Sequence, residues 1–113
     1  MQEHDTILYS NPTCWVDVIL PLALPQVYTY HVPEELEAVV HPGCRVEVVF
    51  GKAKRYAGII RSVLHTAPPY PTKPILQVLD DTPLVFENQL KLWKWMAAYY
   101  LCTEGEVMSA ALP

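Results

Sequence analysis

As far as Leu79, short runs in which hydrophobic and polar positions alternate with a period of two are separated by proline-rich loops and one acidic turn, and from Phe86 onward the period becomes helical. CWVDVIL (Cys14–Leu20) sets Cys14, Val16, Val18 and Leu20 against Trp15, Asp17 and Ile19, and Pro21 stops it, which predicts a strand. That alternation leaves Trp15 open between a core position and an exposed anchor. Pro21 to Gln26 reads as a short loop pinned by two prolines. VYTYHV (Val27–Val32) is a second strand, with Tyr28, Tyr30 and Val32 on one face and Val27, Thr29 and His31 on the other. PEELEAVV (Pro33–Val40) opens with proline and acids, which favours a single helical turn.

The turn His41-Pro42-Gly43 leads into CRVEVVFGKAKRYAGIIRSVL, two alternating runs joined by a polar linker with Gly51 at the corner. This is the sequence form of a β-hairpin. Cys44, Val46, Val48 and Phe50 share its interior face, and Arg45 and Glu47 point outward. Gly58 inside the return strand marks a bulge or a tight bend. The proline-rich connector HTAPPYPTKP follows, then the strand ILQVL (Ile75–Leu79) and the acidic turn Asp80-Asp81-Thr82-Pro83. From there Phe86, Leu90, Trp93, Ala97 and Tyr100 form a helical stripe. Leu92, Trp95, Met96 and Tyr99 widen it, so the helix is expected to be covered on much of its circumference. Gly105 ends or follows this helix, and the tail GEVMSAALP is apolar. The pattern therefore predicts a mainly β chain, a small β-barrel with a short helical turn and one C-terminal helix. The barrel is placed at about residues 13–82 and the helical part at about 83–113, behind a flexible tail at 1–12. The apolar ending is expected to be a cut, with the domain excised from a longer protein.

Composition changes this picture in a few places. Of 113 residues 51% are hydrophobic and 18% charged, which fits a folded domain rather than disorder. The eleven prolines fall between apolar runs and speak against a helical bundle. A net charge of −4 excludes the broad basic footprint of a non-specific duplex binder. The positive charge is local, however, since Arg45, Lys52, Lys54, Arg55 and Arg61 all lie in the hairpin. No run has the length of a membrane span, and MQEHDTILYSNP lacks the basic and apolar blocks of a signal peptide. Cys14, Cys44 and Cys102 are odd in number and widely spaced, which suits free thiols in a reducing compartment.

Candidate chemistry is sparse. His4, His31, His41, His65 and the cysteines never fall at zinc-ligand spacing, so no metal site is expected. There is no G-x-S-x-G and no phosphate-cradling glycine loop, so no active site is expected either. What remains is the basic hairpin with tyrosines nearby. Lys52, Lys54 and Arg55 are placed to meet one or two phosphates. Tyr28, Tyr30 or Tyr56 offers a stacking face, worth ~1–3 kcal/mol per base in single-strand binding. The competing reading makes the tyrosines core or rim residues and the lysines a solvated turn or a guarded edge. At this point single-stranded nucleic acid and a protein-binding or purely structural barrel both stand.

VDVILPLALPQVYTYHVPEEL, HPGCRVEVVFGKAKRYAGII, KPILQVLDDTPL and LWKWMAAYYLCTEGEVMSAALP, in that order across residues 15–113, resemble the N-terminal domain of the primosomal replication-restart helicases. The resemblance implies an OB-like barrel that recognises the free 3′ end of single-stranded DNA. It implies targeting of an ATP-driven helicase to stalled forks, at the end of the nascent leading strand, for restart and primosome assembly. The fragment itself would carry no catalysis and no cofactor; ATP, magnesium and zinc belong to the downstream domains. Implied partners are a DNA 3′ end at a fork, the rest of the helicase, and other primosome and single-strand-binding proteins, in the bacterial cytoplasm and away from any membrane.

Carried over by position, Tyr28 contacts the terminal base and Gly51 lets backbone approach the sugar. Lys73 completes the pocket, with Lys52 of the hairpin beside it. Thr29 stands where such domains commonly have an aspartate that bonds the terminal 3′-hydroxyl. A hydroxyl bond to a charged group is worth ~1.5–3 kcal/mol against ~0.5–1.5 for a neutral pair. End selectivity is therefore expected to weaken by up to roughly tenfold, unless an acid such as Asp17 or Glu47 compensates. The alternative is a protein-interaction barrel docking the helicase body or single-strand-binding partners, with the tyrosines and the Trp93–Trp95 helix as anchors.

Overall fold

β1 (Trp15–Ile19) is buried on both faces, and this explains why its alternation is so apolar. Val16 and Val18 enter one core while Ile19 enters a second; Trp15 is buried too, which settles it as a packing residue. The computed structural model of the chain describes residues 11–112, so most of the expected flexible tail lies outside the described residues. The remaining elements are β2 (Tyr28–His31), a 3-10 turn (Glu34–Val39), β3 (Arg45–Phe50), β4 (Lys54–Leu64), β5 (Gln77–Val78), α1 (Glu87–Tyr99) and α2 (Glu104–Ala111). The strands form one antiparallel sheet in the order β2-β1-β4-β3-β5.

The hairpin forms as its pattern requires, with β3 and β4 in register from Arg45↔Ile59 to Phe50↔Lys54. Cys44, Val46 and Val48 are fully buried on the interior face, and Phe50 sits half-buried at the rim. The bulge expected at Gly58 is displaced along β4. The register passes from Asp17↔Ser62 to Val18↔Ile60, so the unpaired residue is Arg61. Gly58 answers to a different constraint. A Cβ there would stand 2.4 Å from Val18 Cγ1 and 2.8 Å from the Ile19 carbonyl, so β1 packs against bare backbone.

The strand expected at Ile75–Leu79 is the main departure within the sheet: only Gln77 and Val78 pair as a strand. The segment from Lys73 to Leu79 instead divides its hydrogen bonds between two edges. On β2, His31 N–H donates to the Lys73 carbonyl and Ile75 N–H donates to the His31 carbonyl, both at 3.0 Å. On β3, Leu76 N–H donates to the Glu47 carbonyl (2.8 Å) and Leu79 N–H to the Arg45 carbonyl (2.9 Å). Pro71 and Pro74 lack the N–H groups a continuous ladder needs, so the segment crosses from edge to edge rather than extending either. The sheet is not closed as a ladder, but this crossing bridges its two margins into an OB-like form around the first core, which includes Val16, Tyr30, Val46, Ile60 and Ile75.

The second core lies between the outer face of the sheet and the helices, built from Ile19, Ile59, Val85, Leu90, Trp93, Ala97, Val107 and Met108. Here two expectations are corrected. α1 is not covered on much of its circumference: Leu92, Trp95 and Tyr99 are exposed, as are Phe86 and Tyr100 of the expected stripe. Of α1 only Leu90, Trp93 and Ala97 are buried in this second core, which α2 and the outer face of the sheet share. The tail past Gly105 also forms a second helix. Thr103 caps it, its hydroxyl accepting from Glu106 N–H while the Glu106 carboxylate accepts from Thr103 N–H. That T-x-x-E capping box was present in the sequence.

Candidate nucleic-acid interface

Pro25 and Pro33 bracket β2 and keep it short, and it is an outer strand of the sheet. His31 directs both its N–H and its C=O away from β1, toward Lys73 and Ile75. By the two-residue alternation of a strand, Thr29 directs its own N–H and C=O to the same outer edge. No strand among the described residues pairs with them there. A cavity of about 450 Å³ opens at this place, within the usual range of small-molecule sites. β2, the hairpin corner and the connector before Pro74 enclose it, and Tyr28, Thr29, Phe50, Gly51, Tyr70 and Lys73 line it.

The structure thus brings Tyr28, Thr29, Gly51 and Lys73 to one cavity, although three separate segments carry them. The Tyr28 ring is half-buried and stands edge-to-face against Phe50, with centroids 4.8 Å apart at 64°. Phe50 in turn meets Tyr56 at 6.5 Å and 69°. Tyr30 is buried, and its hydroxyl donates to the Val49 carbonyl at 3.0 Å, tying β2 to the hairpin. Burial, and then the neighbouring Tyr28, push its phenol above the ordinary range. Tyr30 is therefore a structural ring and not a stacking platform, and Tyr56 stands behind Phe50 without lining the cavity.

Gly51 adopts φ +71°, a left-handed conformation that the tight corner requires and that side chains resist. A Cβ built there would meet nothing within 4 Å, so the glycine faces open room at the cavity rim. Thr29 pairs with Asp17 in the β1–β2 register, and its hydroxyl donates to Asp17 Oδ1 at 2.6 Å. The Tyr70 hydroxyl donates to Thr29 Oγ1 at 3.3 Å. Of the two acids considered as partners for Thr29, Asp17 is in place. Glu47 is engaged elsewhere, with Gln77 Nε2 at 3.0 Å and Arg55 at 3.7 Å.

Lys73 is exposed, and its carbonyl is fixed by His31 N–H. The neighbouring Thr72 hydroxyl bonds His31 Nδ1 at 2.9 Å. Lys52 occupies the hairpin tip and does not line the cavity. The hairpin as a whole is less cationic than its composition suggests. Arg45 pairs with Asp80 at 2.8 Å, Arg61 with Glu104 at 3.2 Å and Arg55 with Glu47 at 3.7 Å. Among the described residues, Lys52, Lys54 and Lys73 form no ion pair, and no group of three His, Cys, Asp or Glu could hold a metal ion.

Sequence reasoning missed Tyr70 and the cavity role of Phe50. Phe50 carried a signal in its place at the strand end beside Gly51; Tyr70, alone among prolines, carried none. Chemically, the site combines an aromatic face, an acceptor hydroxyl, an unpaired strand edge and one ammonium group.

The family model for a 3′ DNA-binding domain (3′BD) of PriA matches residues 17–113. The replication restart protein PriA of Haemophilus influenzae is 35% identical over 99 residues, covering 87% of this chain and 13% of that protein. The replication restart protein PriA of Treponema pallidum is 28% identical over 105 residues, covering 88% of this chain and 16% of that protein. The chain thus spans a small fraction of the length of the relatives it matches.

Proposed function

The chain belongs to the family of PriA 3′ DNA-binding domains, and on that premise we propose that the cavity between β2, the hairpin corner and the connector receives the last nucleotide of a free DNA 3′ end. One observation carries this reading: four residues singled out by position, Tyr28, Thr29, Gly51 and Lys73, line a single cavity. The ring of Tyr28 takes the terminal base, the open rim at Gly51 admits the sugar, and Lys73 meets the adjoining phosphate. Lys52, on the rim outside the cavity, meets the next phosphate along the strand. The enclosure between connector and hairpin admits a terminus and obstructs a continuing chain.

The context follows from the same family. In this reading the domain is part of a longer ATP-dependent helicase and holds it at the nascent 3′ end of a stalled fork during replication restart, in the bacterial cytoplasm with the chromosome. It carries no catalytic residues of its own. The test is anisotropy with a linear single strand and with a covalently closed circle of the same composition. The linear strand is expected to bind more tightly; equal affinity overturns end recognition.

A second reading is favoured by a different observation. Leu92, Trp95 and Tyr99 on α1, with Tyr100 and Leu101 just past its end, are exposed apolar residues, and Trp95 and Tyr99 are stacked at 5.0 Å. We propose that these residues dock the remainder of the longer polypeptide, leaving partner proteins of the primosome to other surfaces. Trp93 is 4% exposed and is core, so Trp95 is the anchor. Trp95→Ala is expected to leave oligonucleotide binding unchanged, whereas Tyr28→Ala weakens it.

A further inference from the structure

We infer that Asp17 determines the chemistry of the strand end this cavity accepts: through Thr29 it makes the site an acceptor for a terminal hydroxyl and a poor host for a terminal phosphate. The inference rests on the end-binding reading above and assigns a specificity residue on β1, outside the cavity wall.

The argument is one of proton direction. A threonine hydroxyl has one proton to donate and two lone pairs to accept with. The Thr29 proton is committed to Asp17 Oδ1, at 2.6 Å, the length of a charge-assisted O–H···O⁻ bond. Toward the cavity Thr29 Oγ1 is therefore an acceptor, and the neighbouring carboxylate polarises it into a better one. The Tyr70 hydroxyl already shows what the site accepts, since it donates to Oγ1 from the cavity side. At 3.3 Å that bond is long, and Tyr70 is 54% exposed, so a ligand hydroxyl can replace it at little cost.

Two kinds of strand end then meet different outcomes. A terminal hydroxyl donates to Oγ1 and extends the chain of bonds to Asp17. A terminal phosphate carries about −1.5 to −2 charges at neutral pH and offers chiefly acceptor oxygens. It would face an acceptor oxygen backed by a carboxylate, which is repulsive at this separation. Asp17 and Thr29 are held opposite each other by the β1–β2 register, so the pair needs no rearrangement to act. The negative charge that matters lies across the strand pair from the residue facing the ligand.

The experiment compares oligonucleotides ending in a 3′-hydroxyl and a 3′-phosphate, bound to the wild-type chain, Asp17→Asn and Thr29→Val, by fluorescence anisotropy. The wild type is expected to prefer the hydroxyl end. Asp17→Asn is expected to narrow the hydroxyl-to-phosphate ratio by about tenfold, since a charged partner becomes a neutral one. Thr29→Val keeps the shape, removes the relay and should narrow the ratio likewise; it decides the question if thermal melting shows Asp17→Asn to be unfolded. An unchanged ratio in folded variants overturns the role of Asp17. A wild type that prefers linear over circular DNA without distinguishing the two ends also overturns it while leaving end binding intact. A wild type that binds linear and circular strands equally overturns the end-binding reading itself.

Discussion

Tyr28 near the start of β2 and Phe50 at the end of β3 meet edge to face, their ring centroids 4.8 Å apart, and so join the sheet's free edge to the hairpin corner. Phe50 orients the ring that the proposed site uses. Tyr28→Ala should weaken single-strand binding by about 5- to 150-fold, corresponding to the loss of ~1–3 kcal/mol of stacking. Tyr28→Phe should retain most of the affinity. Phe50→Ala should weaken binding by less than Tyr28→Ala, since it frees the ring without removing it. Anisotropy titrations at fixed salt, with circular dichroism as the check on folding, measure all three.

Salt dependence should be shallow. The hairpin arginines are already paired with Asp80, Glu47 and Glu104, which among the described hairpin and pocket residues leaves Lys52, Lys54 and Lys73, and of these the proposed site uses Lys73 and Lys52. A log–log plot of affinity against salt should have a slope near about −0.7 for each contact on a single strand. Lys73→Ala and Lys52→Ala should each reduce that slope by about one contact. A steep slope that survives both changes would mean that the strand runs along a groove instead.

Acid should loosen the junction between β3 and the acidic turn. Asp80 accepts from Arg45 N–H at 2.8 Å, and from Arg45 Nη2, also at 2.8 Å. The Arg45 guanidinium holds the Asp80 carboxyl below its usual range, against a smaller opposing effect of burial. A depressed folded-state value means the stabilisation is complete above the ordinary carboxylate value, about 3.9, and is lost as pH falls through the lower folded value. Melting temperature should therefore drop more steeply below about pH 4 in the wild type than in Asp80→Asn. At neutral pH the variant should melt slightly lower, since Arg45 is half exposed and such pairs are worth only ~0.2–1 kcal/mol.

The thiols should react in a set order. Cys14 and Cys44 are buried in the first core, and burial pushes both thiols above their ordinary range. Cys102 is half-buried beside the second core. A thiol reagent under native conditions should modify Cys102 first, and the other two only on the timescale of unfolding. Mass spectrometry of timed samples would show this directly, and early modification of Cys44 would contradict the packing around it.

The hairpin was legible in the sequence because period-two alternation specifies both a strand and its buried face, and Gly51 marked its corner. Resemblance in residue order was enough to collect Tyr28, Thr29, Gly51 and Lys73. Other features depend on distances that no local pattern encodes. That Arg45 and Arg61 are neutralised follows from where Asp80 and Glu104 arrive in space. The apolar residues of α1 looked like an encircling core because periodicity reports hydrophobicity and not the number of neighbours available to cover it. Asp17 was visible as a candidate partner for Thr29, but only the β1–β2 register puts the two opposite each other. Ile75 to Leu79 looked like one strand because its composition is that of a strand; its division between two edges reflects the gap it must cross.

That division has a consequence for how the domain answers its ligand. Lys73 belongs to the proposed site, and its carbonyl is also one stitch of the seam joining the sheet's two margins. A strand end seated there would draw the stitch tight, so occupancy would be felt at the far margin, at Leu76 and Leu79, as slower amide exchange. The two roles use different atoms of Lys73, the side-chain ammonium for the strand and the backbone carbonyl for the seam. The domain would hold DNA with the same few residues that keep it shut.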